Sequence, residues 1–397
     1  MRSLMPLISA LGIAQIISWG SLFYAIGVLG PSMRGELGVS ELFLFGAFTA
    51  GLLVSGTLAP VAGRAIDRRG GRVVLSLGSC LGALALALLA AAPNAAVMVA
   101  GWIVAGASMA ACLYDPAFAT LSQHAGERYR RAVTALTLFG GFASTVFWPL
   151  SHLLNEAWGW RATLGVYAGL HLFVCLPIHL LFVPARWRVK PVEDEEPLPR
   201  RRGADPRLRW LTISFALATF VFGVIAVHLV GLLTAAGLTE AQAVTLSMLI
   251  GPLQVAGRVM ELGVAGRVRA VTVGLAAFAL MVLALLALIG VEGFGVAAVV
   301  FVAAYGLGNG VLTIVKGTAP AELFGREGLG ALLGHLSRAG LYAKAFAPAS
   351  FSALLTFGFT RNMALATMVG VSLAGMGSFA IASRPQGGPE EPVRSPP

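Results

Sequence analysis

The sequence predicts an all-α integral membrane protein whose twelve transmembrane helices form two pseudo-symmetric six-helix halves. Composition, the spacing of apolar runs and an internal repeat lead to this prediction. Of the 397 residues, 57% are hydrophobic and only 12% are charged, whereas soluble globular domains contain about 25% charged residues. Polar side chains are too few to cover a water-exposed surface of this size. The composition therefore excludes a soluble enzyme, a nucleic-acid-binding module and a disordered chain.

Apolar runs long enough to cross a bilayer recur along the whole chain. A helix needs about 20 apolar residues to cross the hydrocarbon core, which is roughly 30 Å thick. The first run, residues 4–33, is uncharged and too long for the core of a signal peptide, so we interpret it as a membrane span. Spans 1 to 12, numbered along the chain, are predicted at residues 7–31, 41–63, 72–92, 96–123, 132–155, 161–183, 209–236, 241–263, 271–290, 295–322, 330–357 and 362–383.

The basic residues indicate how these spans are oriented. With both termini inside, 21 of the 28 Lys and Arg residues fall in cytoplasmic segments, 3 fall in outer loops and 4 fall within spans. Positive charge collects in cytoplasmic loops, so this distribution predicts cytoplasmic termini. The basic residues are 25 Arg and 3 Lys, a bias typical of GC-rich bacterial genomes. We therefore expect a multi-pass protein of the bacterial cytoplasmic (inner) membrane.

A polar stretch near the middle of the chain separates the spans into two groups of six. It contains an acidic run at 193–196 and a basic run at 200–202, which is typical of a solvated linker. The C-terminal tail is rich in Pro, Gly and Glu, as disordered segments are. The predicted organisation is an N-terminal half (1–183), a cytoplasmic linker (184–208), a C-terminal half (209–383) and a disordered cytoplasmic tail (384–397).

The two halves share a sequence repeat. Span 2 ends in Ala-Pro-Val-Ala-Gly-Arg-Ala-Ile-Asp at 59–67, and span 8 ends in Leu-Gln-Val-Ala-Gly-Arg-Val-Met-Glu at 253–261. The pattern Val-Ala-Gly-Arg-x-x-acid thus occurs twice, each time where the second helix of a half meets the cytoplasm. Repeated halves are typical of secondary transporters, in which one half rocks against the other.

The loop after span 2 resembles the signature loop of the major facilitator superfamily, Gly-x-x-x-Asp-Arg-x-Gly followed by basic residues. Five positions match: Gly63, Asp67, Arg68, Gly70 and Arg72. The resemblance implies the twelve-helix major facilitator fold, function as a monomer, and a loop that acts as a conformational latch. The carboxylate at position 67 can sit at a helix N-terminus such as that of span 11, where the helix dipole favours an anion. The alternative is that the arginines of the loop only set the topology.

A finer resemblance is to the monocarboxylate-porter-like branch of this superfamily. Residues 127–141 are similar to its span 4 to span 5 region, and Arg258 stands where that branch has an Asp-x-x-x-Arg pair. Gln254 replaces the acid of that pair. Span 5 lacks the Gly-Pro-x-x-x-Gly motif of drug/proton antiporters, so a multidrug pump is not favoured. Residues 114–121 also resemble arsenic-operon efflux members of the branch.

Two charged residues lie deep within equivalent spans of the two halves. A charge at the bilayer centre costs roughly 2.5–3.5 kcal/mol. At 1.5 Å per residue, Asp115 in span 4 and Lys316 in span 10 lie about 16 Å and about 15 Å from the cytoplasmic end. In the superfamily that the loop resembles, spans 1, 4, 7 and 10 line the central cavity. We therefore expect the two side chains to face each other and to bind substrate or protons. A structural ion pair is the alternative.

The other charges within spans are basic and lie in the C-terminal half. Arg258 either reaches the membrane edge and places its charge in water, or binds a substrate carboxylate as the resemblance implies. Arg338 and Lys344, six residues apart in span 11, point to different faces, and we expect at least one to be structural. Four basic residues against Asp115 give a cavity that attracts anions. Burial favours the neutral form of a carboxylate, so Asp115 is the expected proton carrier.

The remaining candidates are aromatic residues and thiols. In span 1, Trp19, Phe23 and Tyr24 are candidates for an aromatic wall of the cavity, and packing or lipid contact is the alternative. The cysteines Cys80, Cys112 and Cys175 lie in apolar runs without Cys-x-x-Cys spacing, so no disulfide or metal site is predicted. No cofactor is expected.

These features predict a secondary active transporter that moves a small solute by alternating access. An organic anion coupled to protons is the first hypothesis, and efflux of arsenite or another trivalent metalloid is the second. A non-transporting membrane sensor is the alternative of another class. The spans contain no paired acids, His-Glu-x-x-His motif or nucleophile elbow, so an enzyme is not predicted. The absence of a P-loop excludes a primary pump.

Overall fold

The computed structural model describes residues 4–185 and 205–384. Within these ranges the regular structure is helical, apart from one bridge between Ala265 and Val268. Ten of the described helical segments are long and apolar enough to cross a membrane. Polar side chains start several of them by accepting a hydrogen bond from an exposed backbone N–H, as N-caps do; these residues are Ser40, Asn94, Asp205, Thr239 and Thr360.

The N-terminal half contains spans 1 to 6. Spans 1 to 4 are Met5–Leu37, Glu41–Arg69, Gly71–Ala91 and Ala95–His124, and the segment Gly126–Phe182 supplies spans 5 and 6. That segment breaks at Gly159, whose φ of 77° is accessible to glycine and ends one helix before the next begins. Span 1 contains a π-helical turn at Gly20–Tyr24. Span 4 is interrupted at Leu113, where the backbone is extended.

The C-terminal half contains spans 7 to 12. They are Pro206–Thr234, Glu240–Val264, Ala270–Ile289, Val296–Phe324, Leu329–Thr356 and Arg361–Ala382. Span 11 is not among these ten segments, but its 28 residues extend about 42 Å, enough to cross a bilayer. The predicted all-helical, twelve-span fold is confirmed. Span 7 begins at Pro206, so residues 206–208, predicted as linker, form its first turn. The rest of the linker (186–204) and the tail (385–397) lie outside the described residues.

Arginines concentrate at one end of the bundle, which we call the basic face. It carries the ends of spans 2, 8 and 10 and the starts of spans 3, 5, 7, 9 and 11, with Arg64, Arg68, Arg69, Arg72, Arg128, Arg130, Arg131, Arg207, Arg209, Arg267, Arg269 and Arg326. Each half has its own apolar core, and a third apolar cluster joins the halves near this face. Span 2 packs along span 11, and span 5 packs along span 8. The bundle is therefore sealed between its halves at the basic face.

Candidate functional site

A hydrogen-bonded network joins the two halves near the middle of the bundle. Lys316 Nζ lies 3.1 Å from the Asp115 carboxylate and donates to Ser337 Oγ at 2.8 Å. The Ser337 hydroxyl also donates to Asp115. All three side chains thus belong to one network that connects span 4 with spans 10 and 11. Separation of the halves at this depth requires the Asp115 contacts to break.

The interruption of span 4 positions Asp115. The extended residue Leu113 starts a new helix, Tyr114–His124, and Asp115 lies in its first turn. The unpaired N–H groups of a helix N-terminus favour a carboxylate there. Pro116 follows directly and has no N–H to satisfy at this position. The backbone break therefore lowers the free-energy cost of placing the Asp115 carboxylate inside the membrane.

Aromatic side chains of the N-terminal half form one cluster beside this network. The aromatic cluster comprises Trp19, Phe23 and Tyr24 of span 1, Tyr114 of span 4 and Trp148 of span 5. The Trp19 ring centre lies 5.2 Å from that of Phe23 and 5.1 Å from that of Tyr114, and Tyr24 lies 6.1 Å from Trp148. The π-helical turn at Gly20–Tyr24 carries two of these rings. Such turns occur frequently at functional sites.

Two cations of the C-terminal half lie near the aromatic cluster. Lys344 Nζ lies 3.9 Å from the ring centre of Phe23 and 4.8 Å from that of Phe222. Arg258 Nη1 packs against Gly141 of span 5, and the Tyr114 hydroxyl packs against the adjacent Gly140. Neither cation forms an ion pair within the described ranges. Each is a basic side chain inside the bundle without an acidic partner, and the ring faces beside Lys344 attract cations.

Arg258 is buried between the halves, with 4% of its surface exposed. Its Nη1 donates to the carbonyl oxygen of Thr137 at 2.9 Å, while its Nε has no partner among the described residues. The predicted alternative that Arg258 reaches water at the membrane edge is therefore wrong. The reason is the close approach of span 5, which covers this side of span 8. Arg338, in contrast, is exposed on span 11.

The signature loop holds span 2 against the start of span 11. The two carboxylate oxygens of Asp67 accept from the backbone N–H groups of Gly330, at 2.9 Å, and Ala331, at 2.7 Å. Gly63 lies in contact with the carbonyl of Gly330, where a side chain would not fit. The acid thus occupies a helix N-terminus, where the unpaired N–H groups and the helix dipole favour a negative charge.

The other loop residues shape the turn between spans 2 and 3. Gly70 has a φ of 81°, a backbone conformation that suits glycine, and ends span 2. Arg72 Nε donates to the carbonyl oxygen of Val183 at 2.6 Å, which ties span 3 to the end of span 6. Arg68 is exposed at the basic face. The latch role of these five residues remains a prediction.

We expect Asp67→Asn to loosen the first turn of span 11. Asparagine lacks the negative charge of the carboxylate. It also has only one acceptor oxygen, whereas the backbone N–H groups of Gly330 and Ala331 each bind a separate oxygen of Asp67. A charge at a helix N-terminus contributes about 0.3–1 kcal/mol, so amide hydrogen exchange of Gly330 and Ala331 should accelerate up to roughly fivefold. The control is Asp205→Asn, which removes a capping aspartate from span 7 on the same face. Acceleration at span 11 in the control, or none in Asp67→Asn, would contradict this role.

Sequence reasoning missed a second cross-half acid, Glu261. This residue is 2% exposed and accepts from Arg130 Nε at 2.7 Å and from the Thr134 hydroxyl at 2.5 Å. It thus joins span 8 to span 5, as Asp67 joins span 2 to span 11. The internal repeat aligns Glu261 with Asp67 and is the signal that could have found it. Ser337 and Phe222 carried no signal of their own.

A family model described as Major Facilitator Superfamily matches residues 11–336. No curated protein matches the sequence.

The structure is similar to solved transporters of the same fold. The human organic anion transporter MFSD10 (TETRAN) superimposes with a TM-score of 0.73 at 16% identity, over 96% of this chain and 100% of that one. FucP, a Major Facilitator Superfamily transporter in the outward conformation, gives a TM-score of 0.76 at 14% identity, over 97% and 100%. The E. coli fucose:proton symporter FucP, in a variant form, gives 0.73 at 14% identity, again over 97% and 100%. At these identities the likeness shows the fold alone. Because the family model covers most of the sequence, the chain belongs to the Major Facilitator Superfamily and is a membrane transporter rather than an enzyme.

Proposed function

We propose that the protein transports an organic anion together with protons by alternating access between its halves. One observation carries this proposal: Lys344 lies against the aromatic cluster of the opposite half, Arg258 is buried between the halves, and neither has an acidic partner within the described ranges. An unpaired cation in a membrane is costly, so it calls for a partner that is present during part of the cycle. An anionic substrate is such a partner.

The surroundings of the two cations favour a particular class of anion. Phe23 and Phe222 flank Lys344, and Arg258 and Tyr114 pack against neighbouring glycines of span 5. Aromatic faces bind flat apolar groups by offset or edge-to-face contacts, while guanidinium and ammonium groups bind carboxylates. The favoured substrate is therefore an aromatic or otherwise flat carboxylate. The resemblance of residues 127–141 to the monocarboxylate-porter-like branch agrees with this class.

The central network offers a route for coupling to protons. Asp115 holds Lys316 and Ser337 of the opposite half. Protonation of the carboxylate removes its attraction for Lys316 and leaves that ammonium free to join Lys344 and Arg258 in attracting the substrate carboxylate. Proton and anion then enter together, and the pair crosses without net charge. In this scheme the proton carrier and the substrate share one cation.

The same network supports alternating access. The halves hydrogen-bond to each other at the centre and towards the basic face, through Asp115, Asp67 and Glu261. Opening at the basic face requires all three carboxylates to exchange or lose their partners. We propose that the basic face is cytoplasmic, that the membrane is the bacterial inner membrane, and that one chain is the functional unit.

We expect the purified protein to bind benzoate, 4-hydroxybenzoate and phthalate but not the uncharged benzamide. Trp19 and Trp148 lie in the aromatic cluster, so quenching of tryptophan fluorescence reports binding. Lys344→Gln should raise the Kd for the carboxylates at least tenfold, because a hydrogen bond to a charged group contributes about 1.5–3 kcal/mol. Lys344→Arg should restore most of the affinity. Counterflow in proteoliposomes, corrected for leak through protein-free liposomes, tests transport of the same solutes.

The control for this experiment is Arg209→Gln, which removes a positive charge at the basic face away from the aromatic cluster. It should leave the Kd unchanged. Equal loss of affinity in both variants would indicate a general charge effect and contradict the site. Binding of benzamide as tight as that of benzoate would contradict the anion class.

The thiols give no support to metalloid efflux. Cys112 and Cys175 are fully buried inside the N-terminal half, and Cys80 is exposed on span 3. A trivalent metalloid binds soft thiolates, and these three thiols do not surround the interface between the halves. We therefore propose no second function.

A further inference from the structure

A cavity of about 500 Å³ opens at the basic face between the two halves. Its lining contains five arginines, three from the N-terminal half and two from the C-terminal half: Arg128, Arg130, Arg131, Arg267 and Arg269. We call this cavity the arginine pocket. Glu127 and Glu322 also line it, and Glu261 pairs with Arg130. Five arginines against these three carboxylates leave an excess of two positive charges around one small volume.

Two of these arginines are neutralised by carboxylates. Arg130 Nε donates to Glu261 at 2.7 Å, and Arg269 Nε donates to Glu322 at 2.8 Å. Arg130 also donates from Nη1 to the carbonyl of Val268, and its Nη2 is occluded without a partner among the described residues. These ion pairs fix the walls of the pocket, and guanidinium N–H groups that the pairs do not use remain there as hydrogen-bond donors.

The other three arginines form no ion pair within the described part of the chain. Arg131 donates to the carbonyl oxygen of Ala265 at 3.5 Å, and Arg128 and Arg267 are exposed. Arg128 and Arg131 belong to one half and Arg267 to the other. Like charges on opposite walls oppose the closed arrangement of the halves. An anion bound between them would turn this repulsion into attraction.

The surroundings of the pocket point to an anion that carries an apolar chain. Span 8 runs from the pocket into the membrane and exposes a strip of apolar side chains along its last turns. Val264 is 37% exposed and Met260 is 64% exposed, and Val268 at the pocket itself is 37% exposed. Exposed apolar residues leading away from a cluster of guanidinium groups match a lipid, whose phosphate lies at the surface and whose chains enter the bilayer.

We propose that the arginine pocket binds the phosphate of an anionic membrane lipid, and that the bound lipid holds the two halves together at the basic face. Guanidinium groups bind phosphate oxygens in a bidentate manner. Basic pockets between membrane helices bind anionic head groups. The lipid acts here as a bridge between loops that must separate when the basic face opens. This proposal is independent of the identity of the transported solute.

The test measures lipid binding by native mass spectrometry of the full-length protein. Phosphatidylglycerol should bind at least tenfold more tightly than phosphatidylcholine. Arg131→Gln and Arg267→Gln, one variant in each half, should each lower the affinity for phosphatidylglycerol at least fivefold. Both side chains are exposed, so thermal unfolding in phosphatidylcholine should not change. Arg209→Gln, an exposed arginine of the basic face outside the pocket, should change the affinity less than twofold.

Each other outcome would overturn the proposal. Equal affinity for phosphatidylglycerol and phosphatidylcholine excludes recognition of a charged head group, and this comparison requires no variant. A loss confined to Arg131→Gln or to Arg267→Gln excludes a bridge between the halves. An equal loss in Arg209→Gln indicates diffuse surface charge rather than a pocket. Displacement of phosphatidylglycerol by millimolar inorganic phosphate shows that the ligand is the free anion and not a lipid.

Discussion

We expect Asp115→Asn to abolish the coupling of proton movement to anion uptake while leaving exchange of anion for anion intact. In proteoliposomes with a trapped pH dye, the anion-driven pH change should fall to the level of protein-free liposomes. Counterflow of the same labelled anion should stay within about threefold of wild type. Such a change is smaller than the roughly 1.4 kcal/mol in activation free energy that a tenfold change in rate represents. The two measurements use one preparation, so unequal protein content cannot explain a difference between them.

The physical reason lies in what asparagine keeps and what it loses. Its amide is nearly isosteric with the carboxyl group and can still accept from Lys316 and Ser337, which hold Asp115 in the native protein. It carries no charge at any pH and therefore imitates the protonated acid permanently. The halves can then separate with anion bound, but no proton enters or leaves at this residue. The control is Asp205→Asn: the guanidinium of Arg207 lowers the pKa of Asp205, which therefore stays ionised outside the membrane.

A purely structural ion pair predicts a different pattern. If Asp115 only compensates the charge of Lys316, the single variant leaves a lone ammonium in the bundle, which is strongly destabilising. Asp115→Asn would then lower both coupling and counterflow, together with thermal stability. The double variant Asp115→Asn/Lys316→Gln removes both charges and would restore coupled uptake. Restoration by the double variant would therefore refute a role of Asp115 as proton carrier.

The sequence determines the positions of the spans more closely than the contacts between them. Hydropathy acts over about 20 consecutive residues, so each predicted span overlaps described helical structure, and the predicted start of span 7 is wrong by three residues. Asp67 could be assigned to a helix N-terminus because the loop motif resembles a known latch and a helix dipole favours an anion at that end. Both inferences rest on local sequence.

Contacts between the halves could not be predicted in the same way. Asp115 and Ser337 are 222 residues apart, and their contact depends on the rotation of two helices about their axes. A helix that is apolar on all sides carries no amphipathic pattern that fixes this rotation. Lys316 was placed correctly opposite Asp115 only because symmetry supplied the missing information. Phe222 and Ser337 have no counterpart in the repeat, so nothing indicated their roles.

We expect Gly63→Ala to prevent full closure of the basic face and to lower transport at least tenfold. A Cβ at this position would overlap the backbone carbonyl of Gly330 and lie 3.0 Å from the nitrogen of Ala331. Backbone atoms in a helix cannot move aside as a side chain can, so spans 2 and 11 must separate. The hydrogen bonds from Gly330 and Ala331 to Asp67 are then lost.

The spans 2 and 11 contact is backbone against backbone along several turns, which makes it sensitive to one methyl group. Gly334 meets the carbonyl of Ala59 in the same way, and a Cβ added to Gly56 would lie 2.9 Å from the ring of Tyr342. The corresponding contact between spans 5 and 8 runs through side chains, among them Glu261 and Arg130. Side chains can adjust, so an equivalent methyl group there should have a smaller effect. Closure of the basic face therefore depends most on the contact between spans 2 and 11, where glycine is required.

Spin labels measure the effect of Gly63→Ala directly. With Cys80→Ser removing the exposed thiol, labels at Arg68→Cys and Arg326→Cys should report a longer distance across the basic face. Gly46→Ala is the matched control, because it lies in the same helix with nothing within 4 Å of the added atom. Alanine is a better helix former than glycine by about 1 kcal/mol, so neither variant should unfold span 2. If Gly63→Ala leaves the distance and transport unchanged, spans 2 and 11 do not need this close contact for closure. If Gly46→Ala causes an equal defect, the methyl group acts through the helix rather than through the interface.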